Sequence, residues 1–170
     1  MSDPVQPIVF YIGREVPDRW RPWLKQGVEL WQPAFEAAGF SNAIVARDAP
    51  SFEDDPSWTP EDVHHSVIRW LAQPRANARG PHVVDPRSGE ILASHVEVWP
   101  QVIQIFSRYY FAVMSSLDER ANTLPLRQDL QGEILRYVVA HEVGHAIGLR
   151  HNHIASTAYT VEQMRDAQTG

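Results

Sequence analysis

The chain contains no cysteine. Disulfides and thiolate metal ligands are thereby excluded, and histidine, aspartate and glutamate are left as the strong ligands for a metal ion. Long hydrophobic runs are also missing. The longest apolar stretches, IVFYI and YYFAVM, fall far short of the roughly 20 residues that cross a bilayer, so no membrane span is expected. The opening MSDPVQPIVF has neither a basic start nor an extended apolar segment, and no signal peptide is expected there. Positive charge is the scarcer sign: 15 Lys and Arg stand against 21 Asp and Glu, for a net charge of -6. The cations are scattered, which offers no footprint for a phosphate backbone, and nucleic acid is not an expected partner.

What is present is ordinary for a globular domain. With 170 residues, 44% hydrophobic and 21% charged, the chain is long enough for one core and too balanced for a disordered or fibrous polymer. PIVFYIG reads as a short buried strand. From Asp18 to Ala38 the residues Trp20, Trp23, Leu24, Val28, Trp31 and Phe35 recur at helical spacing, which predicts one amphipathic helix with Asp18 as N-cap and Gly39 as its stop. Pro33 is discordant and should kink or shorten it. Strands are expected over Ala43–Arg47 and Ser66–Leu71, and a β-hairpin in HVVDPRSGEILASHVEVW around the turn residues Asp-Pro-Arg-Ser-Gly. These elements together suggest a mixed sheet. In the second hairpin arm Leu92, Ser94, Val96 and Val98 share one face, and Ala93, His95, Glu97 and Trp99 the other, the pattern of a half-exposed edge strand. Helical periodicity returns from Gln101 to about Leu117 and from about Leu126 to Ile147, the latter burying Leu130, Ile134, Val138 and Ala146.

That last helix carries HEVGHAIGLRH at 141–151, which fills every defined position of H-E-x-x-H-x-x-G-x-x-H. Residues four apart on an α-helix lie about 40° apart in azimuth and about 6 Å apart in rise, so His141 and His145 can grip one ion from one face. A straight helix would carry residue 151 away. Gly148 can take positive φ, end the helix and bring His151 back as third ligand. Three neutral imidazoles leave zinc its double charge and an open position for water, whose pKa falls toward about 7. Glu142 lies about 100° around the helix from His141, where its carboxylate can serve as general base. A shuffled chain of this composition would contain the pattern roughly once in 20,000 times, which makes coincidence a poor explanation.

On HEVGHAIGLRH the chain resembles the metzincin zinc endopeptidases. With VFYIGREVPDRWRPWLKQGVELWQPAFEAAGF, VIRWLA, GPHVVDPRSGEIL and HEVGHAIGLRHNHIAS, it is similar in particular to large, exported bacterial zinc-dependent metalloproteases. The resemblance implies an α+β fold: a mixed, mostly parallel twisted sheet with an antiparallel edge strand, packed on two or three helices including the active-site helix. It further implies one zinc ion, a peptide or protein substrate bound antiparallel to the edge strand, expected at Ile91–Val98, and an extracytoplasmic location. Residues 1–170 are then expected to form a single metzincin-like catalytic domain, ending before the methionine turn and C-terminal subdomain of that clan. Met164 is the one downstream methionine, in a setting that reads as a polar helix or tail. His153 departs from the aromatic residue usual in those relatives.

Other residues read more plainly. His153 is expected to be an exposed loop residue, His95 and Glu97 solvent-facing, and His64, His65 and His82 structural or superficial. The acidic run Glu53, Asp54, Asp55 lacks the spacing of a calcium loop. The tryptophans of the first helix suit a core. Hydrolysis of internal peptide bonds is the leading function. The alternatives are a catalytically impaired, zinc-stabilised peptide-binding domain, and hydrolysis of a non-peptide amide. Substrate specificity and oligomeric state are not legible in the sequence.

Overall fold

The computed structural model describes residues 1–165. Three parallel strands come first: β1 (Ile8–Ile12), β2 (Ile44–Asp48) and β3 (Ser66–Trp70). Two very short strands, β4 (Ala78–Arg79) and β5 (His82–Val84), precede the long β6 (Ile91–Val98). β1 pairs in parallel with β2 and β3, and β3 in parallel with β6, giving the order β2-β1-β3-β6. β4 and β5 both run antiparallel to β6 along its far side. The expected mixed, mostly parallel sheet with an antiparallel edge is therefore present.

Alternation along β1 sorts the two faces. Phe10 and Ile12 are buried in the main core, whereas Tyr11 meets the rings of Trp58 and His65 on the opposite side. The core face is covered by α1 (Arg21–Glu29) and α4 (Gln128–Ala146), which share the largest helix contact of the fold and bury Leu24, Val28, Leu135, Val139 and Val143 together. Close approach is possible because Gly132 and Gly144 of α4 leave slots that Trp23 and Trp31 fill. The tryptophans are thus packing residues, as expected, and Trp31 also donates from Nε1 to the Ala140 carbonyl at 2.8 Å.

Two expectations fail, and one about Pro33 holds. The helix over 18–38 is shortened and restarted: α1 ends at Glu29, and α2 (Gln32–Ala37) begins with Pro33 in its first turn. Proline has no N–H to donate and its ring collides with the preceding turn, so the helix breaks and begins again where proline costs nothing. Asp18 is not the N-cap. That position belongs to Trp20, and Asp18 pairs with Arg21 at 3.2 Å. The second failure is the edge strand. β6 lies inside the sheet, with β3 on one side and β4 and β5 on the other, so the free antiparallel edge is the segment 78–84.

Of the remaining elements, α3 (Gln101–Met114) buries only Val102, Ile103 and Ser107, and leaves Ile105, Phe106, Tyr109 and Val113 on its surface. A short α5 (Val161–Arg165) ends the described chain, and Met164 on it is exposed. Among the described residues no helix is long and apolar enough to cross a membrane.

Candidate metal centre

The last turn of α4 makes the site. His141 and His145 sit one turn apart on it, and Gly148, at φ +100°, turns the chain out of the helix. The Leu149 N–H then donates to the Gly144 carbonyl at 2.9 Å and the Gly148 N–H to the His145 carbonyl at 3.0 Å, the paired bonds of a Schellman ending. This bend returns His151 to the helix. Its Nε2 lies 3.2 Å from Nε2 of His141 and 3.0 Å from Nε2 of His145, and the latter two are 3.2 Å apart.

Three imidazole nitrogens at such mutual distances fit one metal ion. Zinc–nitrogen bonds of about 2.05 Å in tetrahedral geometry place ligand nitrogens about 3.3 Å apart. Hydrogen bonding also sets the donor state of one ring. Nδ1 of His145 is 2.8 Å from the Leu149 carbonyl, which can only accept, so Nδ1 carries the proton and Nε2 keeps its lone pair toward the other two rings. These three residues form a group that could hold a metal ion.

Glu142 is 9% exposed, on the buried side of the same helical turn. Burial raises its carboxyl above the ordinary glutamate range, while His145, His151 and the backbone N–H of Gly80 pull the other way. His141 is shifted down by desolvation of its ring and by its neighbour His145. Gly80 is the residue where the edge segment crosses α4. A Cβ there would lie 2.0 Å from the Glu142 carbonyl oxygen, so only glycine permits the contact.

His82, expected to be structural or superficial, is exposed and belongs to these surroundings. Its Nδ1 lies 3.1 Å from the carbonyl of His145, and together with Pro81, Leu149 and Arg150 it borders the opening in front of His145 and His151. The signal that could have found it was the hairpin: its first arm, not its second, is the outer one. Glu97 is engaged by Arg79 across β4 and β6, and His65 stacks on Trp58. His153 is exposed, its ring 5.6 Å from that of His151. A separate, mostly apolar cleft of about 260 Å³ is lined by Val102, Ile105 and Phe106 of α3 and by Tyr137, His141 and Glu142 of α4.

Residues 123–169 match a family model described as Met-zincin. The matched stretch holds the whole of α4, all three imidazoles and Glu142. No curated protein and no solved structure matches the chain. The Met-zincin match and the three-histidine group fit a zinc metalloprotease-like domain of metzincin type.

Proposed function

We propose that this chain is a metzincin-type zinc endopeptidase domain, with His141, His145 and His151 as the metal ligands and Glu142 as the general base. The observation that carries the reading is the convergence of three Nε2 atoms within 3.2 Å beside a buried carboxylate on the same helix. A zinc ion held there would supply Lewis acidity, making water acidic near neutral pH and polarising a carbonyl.

The residues of the chain do the rest. A carboxyl whose affinity for protons is raised by burial is a stronger base than an ordinary glutamate. Glu142 would accept the proton of the attacking water at a carboxylate oxygen, hold it, and deliver it to the departing amine nitrogen. Gly80 lets the edge segment cross the Glu142 backbone, and its N–H bonds the Glu142 carboxylate. The outer edge of β5 is unpaired among the described residues, which suits a substrate strand adding antiparallel there. The cleft between α3 and α4 suits an apolar side chain of that peptide. Placement among the exported bacterial metalloproteases, and hence outside the cytoplasm, rests on the sequence resemblance, as does the reading of residues 1–170 as one catalytic domain.

Glu142→Gln tests the proposal. The variant should bind zinc with the stoichiometry of the parent while peptide turnover falls by about 10² to 10⁴-fold. Turnover equal to the parent's would end the assignment of Glu142. The alternative is a zinc-stabilised peptide-binding domain, which peptide that binds the zinc-loaded chain and remains uncut would select.

A further inference from the structure

A wide crevice lies away from the imidazoles and shares no residue with them. It has a volume of about 740 Å³ and is walled by the Pro17–Trp20 turn after β1, Trp70 at the end of β3, the first turns of α3 after β6, and Leu124–Leu126. It thus opens at the carboxyl ends of three adjacent parallel strands, where the loops of open parallel sheets gather ligands. Its volume is that of a small-molecule pocket.

The lining has one sign of charge. Arg19 and Arg108 are the charged residues among those that line it, and no aspartate or glutamate is among them. Both arginines are exposed. Among the described residues neither is paired with a carboxylate, whereas Arg21, Arg69, Arg79, Arg87, Arg120 and Arg127 all are. In a chain of net charge -6, two unneutralised guanidinium groups over one cavity make a local positive field. The same wall offers apolar surface in the half-buried Trp70, whereas Trp20 is buried beneath Arg19, whose guanidinium lies 5.1 Å from its ring. A further observation points to a ligand. Ser107, 5% exposed and in the same wall, has a hydroxyl with no hydrogen-bond partner among the described residues. A helical serine without one has forgone the usual bond to the preceding turn, and a buried hydroxyl left unpaired is costly.

We propose that this crevice binds an amphipathic anion: a carboxylate, held by Arg19 and Arg108, on an aromatic or apolar body that lies against Trp70. Planar guanidinium groups pair with carboxylates in fork geometry, and tryptophan faces accept flat apolar groups. The crevice shares no residue with the metal centre, so this site stands or falls independently of the protease reading.

Calorimetric titration of the chain with 3-phenylpropionate, 3-phenylpropionamide and inorganic phosphate tests it. The acid should bind at least about tenfold more tightly than either the amide or phosphate, and Arg19→Gln and Arg108→Gln should each weaken it about fivefold or more. Both side chains are exposed, and unchanged thermal unfolding verifies that the variants remain folded. Binding of the acid should be the same with zinc and with a chelator. Equal affinity for acid and amide, equal affinity for phosphate, indifference to both substitutions, loss of binding with the chelator, or no heat at about 10 mM acid overturns the proposal.

Discussion

His145 is held at its ring and at its backbone. Its Nδ1–H is committed to the Leu149 carbonyl, and the carbonyl of the same residue receives His82. Ring and backbone are thereby oriented before any ligand arrives, the outer support on which metal affinity commonly depends. Such detail is invisible in a one-dimensional pattern. The three metal-binding candidates lie within eleven positions and could be read from spacing, but His82 reaches the helix from 63 residues away. At the same scale lies an electrostatic prediction distant from the metal. The Arg120 side chain and backbone N–H, with the Tyr110 hydroxyl, hold the Asp118 carboxyl down at about 2. A carboxyl depressed on folding stabilises the native state above its unfolded value and ceases to do so as pH falls through the folded one. Asp118→Asn should therefore lower Tm at neutral pH, and the gap should shrink between about pH 4 and about pH 2. A gap of constant size over that range, measured by thermal unfolding, would remove Asp118 from the account.

Among elements, α4 and the segment 78–84 decide the site. α4 was legible because apolar periodicity and a glycine stop agree on its limits, Gln128–Ala146 in the fold against about 126–147 from the pattern. The neighbouring helix was less so, since periodicity runs unbroken through Leu30 and Trp31 while the backbone does not. Strand order was harder still. Alternation in Ile91–Val98 tells which face a side chain takes, but not which strand lies alongside, and pairing with β3 is a non-local fact. The crossing at Gly80 invites a test. Gly80→Ala would set a methyl group against the Glu142 carbonyl at 2.0 Å, backbone against backbone, where neither side yields cheaply. Denaturant unfolding should show a loss of about 1–3 kcal/mol. A variant as stable as the parent would mean that the edge segment is free to lift from α4.

For the whole molecule, sheet and helices form one main core with a smaller apolar cluster at Ala121, Leu126 and Leu130 beside it, yet both stop short of the end of the described chain. Every residue from Gly148 to Arg165 is exposed. Local stability follows buried contacts, and a stretch without them opens easily. If zinc bridges α4 and His151, saturating metal should raise the unfolding free energy by about 2.7 kcal/mol at a hundred times its Kd. Indifference of Tm to added zinc would count against the site. The bend at Gly148 then has a consequence for chain integrity. Arg150, exposed between that bend and His151, is an obvious trypsin target, and cleavage after it should be fast in chelator and slow in zinc. A metal ion would thus work as a clasp, tethering a downstream stretch that the hydrophobic interior never reaches.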